Sequence, residues 1–163
     1  MQIYSIPAGD FRLAIVSRPR GGDWLVDDLA LLPRAGFTAV VSALTPEENE
    51  ELLLGEEERE CRALGLAFLA FPIEDRSVPS SNEAFGSLVR SMARLLDDGN
   101  AVAVHCRAGI GRSSLIAAAL LVQNGAAADS AFAAIERARG RPVPDTPEQR
   151  KWLEGFAARI SPG

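Results

Sequence analysis

Short apolar runs alternate along the chain with longer stretches of helical spacing, and this rhythm predicts an α/β fold. Four runs, 11–16, 38–43, 66–71 and 101–105, read as buried strands, each rich in apolar residues and bounded by Gly, Pro or charged residues. Residues 24–34 read as a helix that ends near Ala35-Gly36. Thr45-Pro46-Glu47-Glu48 is a strong helix start, because Thr can cap, Pro suits the first helical position and Glu48 can close a capping box. Ser80 with Glu83 predicts a second start for a helix to about Asp98, and Thr146-Pro147 with Gln149 a third, to about Ile160. Residues 47–60 hold eight glutamates and one arginine, so a solvated helical pair ending at Gly65 is expected there. The stretch from Ser114 to Asn124 is almost wholly apolar and reads as a buried helix. Gly125 and Gly140 are natural stops around a helix over 128–139.

The 163 residues suit a single domain, and no linker or repeat divides them, so one domain over 1–163 is expected. With 47% hydrophobic and 24% charged residues the chain is ordinary globular material rather than disordered or fibrous. Its formal charge of −5 argues against a general nucleic-acid binder. Met1 to Arg20 shows no basic region followed by a long apolar stretch, and the run 115–122 is too short to span a bilayer. A cytoplasmic, monomeric protein with free thiols and no membrane contact is the expectation. One histidine and two cysteines, His105, Cys61 and Cys106, are too few for a zinc cage or a disulfide framework, so neither metal nor cofactor is expected.

His105 stands directly before Cys106, and the string continues Arg107-Ala108-Gly109-Ile110-Gly111-Arg112-Ser113-Ser114. A strand ends, a glycine-containing loop turns and an apolar helix begins. Gly109 and Gly111 allow successive N–H groups to point inward, and the helix start adds its own unpaired donors and partial positive charge. Such a loop is an oxyanion cradle built from residues 107–111. Arg112 can fork onto two oxygens of a tetrahedral dianion, while the same donors favour a thiolate at Cys106. A thiolate below a held phosphate, with an acid opposite, suffices for in-line attack on phosphorus. Ser113 is placed to hydrogen-bond the sulfur and help it leave. Cys61, in Arg59-Glu60-Cys61-Arg62, reads as a small residue on a helix rather than a redox partner.

The string His105 to Ser113 resembles the signature loop of the cysteine-dependent protein tyrosine phosphatases, especially the small dual-specificity and kinase-associated types. The resemblance runs from roughly Trp24 to Phe156. It implies a mainly parallel central sheet flanked by helices, with the loop at the carboxyl end of a central strand. It also implies a general acid on a loop some thirty residues before the cysteine, where Phe71-Pro72-Ile73-Glu74-Asp75-Arg76 stands. Asp75 fits that spacing, with Glu74 as the rival. His105 is expected to orient the loop and support the thiolate rather than transfer protons. A Cys-His protease would need a base facing Cys106, and neighbours on a strand point to opposite faces. Gln149 matches in part a family segment with glutamines near the attacking water, but it also suits the capping box of Thr146. Arg18, Arg20 and Arg76 are candidates for the pocket rim.

The activity these residues imply is hydrolysis of phosphomonoesters through a phosphocysteine. The substrate is a phosphorylated protein, with phosphotyrosine first and phosphoserine or phosphothreonine in addition. A phosphoinositide or RNA 5′-phosphate on the same fold is the alternative, disfavoured because the loop lacks lysines. A non-catalytic phosphopeptide-binding module is a further alternative, disfavoured because nucleophile, clamp and acid are all present.

Overall fold

A computed structural model describes residues 1–160, which form five strands and seven α-helices. The strands are β1 (Ile3–Ile6), β2 (Arg12–Val16), β3 (Ala39–Ser42), β4 (Ala67–Ala70) and β5 (Ala101–His105). They lie in the order β1-β2-β5-β3-β4, with the last four mutually parallel and β1 antiparallel on the edge beside β2. Strand β5 is central and buried along its whole length, as expected for an apolar run covered on both faces. Four strands fall on the runs predicted for them. The fifth, β1, does not appear in the sequence reading, because a four-residue edge strand with only Ile6 buried carries little hydrophobic signal.

Alternate residues of the strands feed two apolar layers. Leu13 and Ile15 of β2 and Val102 and Val104 of β5 face one layer, built with helices α4 (Asn82–Asp97), α5 (Arg112–Gln123), α6 (Ala128–Arg139) and α7 (Pro147–Ile160). Ala14, Val16, Ala101 and Ala103 face the other, built with α1 (Leu25–Arg34) and α3 (Glu57–Ala63). Within the first layer Phe85 of α4 meets Trp152 and Phe156 of α7 edge-on, at ring separations of 4.6 and 5.5 Å. Helix α5 buries every residue from Arg112 to Val122, so its first turn is fixed by the core.

The helix starts follow their caps. Thr45 opens α2 (Pro46–Glu51) through a complete capping box with Glu48. Thr146 and Gln149 close the same box at α7, the Gln149 N–H donating to Thr146 Oγ1 and the Thr146 N–H to Gln149 Oε1. For α4 the cap is Ser81, which accepts from the Ala84 N–H, and not Ser80 as the sequence suggested. Two adjacent serines offer the same hydroxyl, and the one in register with the first helical turn takes the bond. Gly140 ends α6 in the left-handed conformation.

Candidate active site

The carboxyl end of β5 feeds the loop Cys106–Gly111, and α5 begins at Arg112. Gly109 has φ of +71°, a conformation that L side chains rarely adopt, and its N–H donates to Cys106 Sγ at 3.3 Å. At Gly111 a Cβ would come 2.5 Å from Asp145 Oδ2 and 3.0 Å from the Gln149 amide, so a side chain there would displace the Asp145 carboxylate and press on the buried Gln149. On the outer side Arg139 of α6 donates to the carbonyls of Gly109 (2.8 Å) and Ala108 (3.4 Å). Its guanidinium lies 4.0 Å over the Tyr4 ring of β1. The Ala108 and Gly109 carbonyls are thereby held outward, while the Gly109 N–H faces the sulfur.

Cys106 is buried at the base of this loop, its Sγ 3.2 Å from Ser113 Oγ. Arg112, 1% exposed, has its guanidinium gripped at three points. Nη1 donates to Glu48 Oε1 (2.6 Å) and the Ile73 carbonyl (2.8 Å), while Nη2 donates to Glu48 Oε2 (2.9 Å) and Asp75 Oδ1 (3.2 Å). Of the five N–H donors only Nε–H has no partner among the described residues. Burial pushes Arg112 toward losing its proton, but the Glu48 hydrogen bonds and the charges of Cys106, Glu48 and Asp75 outweigh it and raise its pKa. In return the hydrogen bonds from Arg112 hold Glu48 below its ordinary carboxylate value against the opposing cost of burial.

This corrects the solvated pair expected over 47–60. The two helices exist as α2 and α3, and most of their glutamates are exposed, yet Glu48 and Glu57 are buried and each faces a residue of the signature string. Glu57 Oε1 lies 2.6 Å from Nε2 of His105, at hydrogen-bond distance. His105 points to the α1/α3 side of the sheet, away from the layer that contains Cys106, as alternation on a strand requires. Glu48 could have been suspected as the capping-box residue with an oxygen to spare. For Glu57 no local signal exists, because its partner lies 48 positions away.

Asp75, whose side chain is 58% exposed, reaches Arg112, whereas Glu74 is exposed and has no contact with it among the described residues. Both line a cleft of about 400 Å³ together with Thr45, Glu47, Glu51 and Arg107. Arg107 is half-exposed at the mouth and donates to Glu51 at 3.2 Å. Ala108 is exposed and Ile110 half-buried on the loop's outer side. Gln149 is fully buried; its Oε1 accepts from the Asp145 and Thr146 N–H groups, and its Nε2 donates to the Ser77 carbonyl just beyond the Asp75 loop. Arg20 is drawn to Asp28 at 2.7 Å and covers Trp24, Arg18 donates to the Pro19 carbonyl, and Arg76 follows Asp75 with φ of +59°. Cys61 is fully buried in the other layer. Among the described residues no group of three or more His, Cys, Asp or Glu converges as metal ligands would, and no helix is long and apolar enough to cross a membrane.

Residues 14–126 match the family model described as "Polymorphic toxin system, DSP-PTPase phosphatase". No curated protein matches the chain. Among solved structures, the chain resembles kinase associated phosphatase with its catalytic-site cysteine replaced by serine (TM-score 0.90, 18% identity, covering 100% of this chain and 97% of that one). It resembles Tk-PTP in the active form (0.78, 28% identity, 94% and 99%) and PTPMT1 in complex with PI(5)P (0.76, 22% identity, 91% and 92%).

Proposed function

Because this chain belongs to the DSP-PTPase phosphatases, cysteine-dependent enzymes of the dual-specificity fold, we propose that it hydrolyses phosphoprotein monoesters with Cys106 as nucleophile, Arg112 as clamp and Asp75 as general acid. One observation supports the reading: the loop that turns the Gly109 N–H onto the Cys106 sulfur, beside the Ser113 hydroxyl, leads directly into Arg112, whose guanidinium reaches Asp75. A phosphoryl group seated on the loop takes the free Nε–H of Arg112 and the Nη2 donor that Asp75 holds. Asp75, released from Arg112 toward the leaving oxygen and protonated from solvent, gives that proton to the leaving oxygen as the Cys106 thiolate bonds to phosphorus and the ester P–O bond breaks. Water activated by the Asp75 carboxylate hydrolyses the phosphocysteine, freeing phosphate, with Ser113 donating to the departing sulfur. Glu48 keeps Arg112 in place throughout, and Gln149, tied to Thr146 and Ser77, stands over Gly111 where it can steer that water. No metal or cofactor enters these steps.

The cleft favours phosphoprotein over phosphoinositide or RNA 5′-phosphate. Its walls carry Glu47, Glu51 and Glu74, and its one arginine, Arg107, is engaged by Glu51, so a second phosphate beside the first meets negative charge. A cytoplasmic, monomeric enzyme is part of the same proposal. The test is turnover of phosphotyrosine and phosphothreonine peptides against inositol phosphates. Peptides are expected to be turned over and inositol phosphates to be poor substrates; the reverse order overturns the substrate class. In the same assay Asp75→Asn is expected to lower kcat by about 10²–10⁴ on a phosphothreonine peptide, and Glu74→Gln to change it little. If Glu74→Gln has the larger effect, the acid is assigned to the wrong residue.

A further inference from the structure

The cleft that holds Asp75 and Arg107 does not end at the catalytic mouth. A second cleft of about 440 Å³ adjoins it, and the two share Thr45, Glu47 and Glu74 as a common wall. Beyond that wall the second cleft is lined by the apolar surfaces of Pro46, Pro72, Ile73 and Val78. The carboxylates of the two clefts differ in what faces them. Glu48 and Asp75 pair with Arg112, and Glu51 pairs with Arg107. Glu47 and Glu74 are exposed, and among the described residues neither forms an ion pair, although Arg76 stands two residues after Glu74. These two charges repel the phosphate dianion that the neighbouring site must admit, a cost that a cation carried by the substrate offsets. The proline and aliphatic surfaces beside them suit the methylene stem of a long basic side chain, whose charged head then reaches the carboxylates.

We infer that Glu47 and Glu74, with the proline-lined cleft beside them, form a subsite for an arginine or lysine that flanks the phosphoresidue, so that the favoured substrate is a phosphorylated basic segment of a protein. This narrows the phosphoprotein reading of the cleft and rests on it. An extended peptide advances about 3.3 Å per residue, and Glu47 and Glu74 line the mouth as well as the second cleft. The basic residue therefore stands close to the phosphoresidue in sequence. A peptide with glutamate at that position brings a third negative charge against two that have no counter-ion, and is turned away.

The test is kcat/KM for phosphotyrosine peptides that carry arginine, alanine or glutamate at successive positions on either side of the phosphoresidue. Arginine at the best position is expected to exceed glutamate there by about tenfold at low salt, and the advantage to shrink as salt is added. Glu47→Gln is expected to reduce the ratio to about threefold, and Glu47→Arg to abolish or reverse it. Glu50→Arg makes the same change of charge on the same helix, but Glu50 lines neither cleft, so the preference should survive it. Each protein is read as a ratio between two peptides, so a general loss of activity or of folded enzyme cancels. Equal rates for arginine and glutamate peptides in the wild type overturn the subsite, as does a preference that Glu47→Arg leaves in place. A preference that Glu50→Arg removes as fully as Glu47→Arg also overturns it, because the charge of the whole chain is then the cause. Failure of the phosphoprotein reading is a different result: no phosphopeptide is turned over, whatever its flanks, while inositol phosphates are.

Discussion

The two cysteines are equally hidden from solvent and sit in opposite layers of the sheet. Around Cys61 the neighbours are Leu54, Leu66 and other apolar side chains; burial pushes its thiol up to about 12, and the nearby Glu57 charge pushes in the same direction. Around Cys106 the neighbours are an inward N–H, a hydroxyl and the Arg112 guanidinium. Burial therefore does not distinguish the two thiols. The donors around the sulfur do, and they follow from one cysteine standing at the end of a strand in a glycine loop while the other lies within a helix.

The sharpest way to break this contrast is Cys106→Ser, for which we expect phosphotyrosine turnover at background while peptide binding by calorimetry persists. Turnover near the wild-type rate would mean that the surroundings of Cys106 confer no chemistry. Cys61→Ser should do the opposite, leaving kcat unchanged and lowering unfolding stability by about 1–3 kcal/mol in urea titration, because a hydroxyl is placed among apolar side chains. The smallest effect is on pH dependence. The unfolded chain releases the Cys61 proton near pH 8.5, while the folded chain holds it to about 12. Stability from this group is thus intact below about pH 8.5 and falls as pH rises beyond it. Cys61→Ala should flatten that decline between pH 8 and 10, measured as the change in urea midpoint relative to the wild type.

Which parts of the molecule were legible follows the same division between local and distant causes. Strand β5, the loop and α5 could be read because their signals are contiguous: an apolar run, glycines at fixed positions and a helix without a polar face. The caps at Thr45 and Thr146 could be read because a capping box spans only four consecutive residues. Glu48 could be read as a capping-box residue but not as the partner of Arg112, and Glu57 could not be read at all, because Arg112 and His105 are each contributed by a distant part of the chain. Within a run of eight glutamates nothing local separates Glu57 from the solvated ones. Arg139 was missed for the same reason: its partners are backbone carbonyls of the loop and a ring on β1, the strand the hydrophobic pattern did not show.

That arginine determines the sign of the loop. A peptide flip at 108–110 would turn a carbonyl inward in place of an N–H, and a concavity lined by oxygen dipoles attracts cations and repels phosphate. With Arg139 in place, such a flip forfeits two hydrogen bonds to a charged donor, each worth about 1.5–3 kcal/mol when well formed. An edge strand and a surface arginine, neither of which meets the substrate, thus maintain the polarity on which anion selectivity depends.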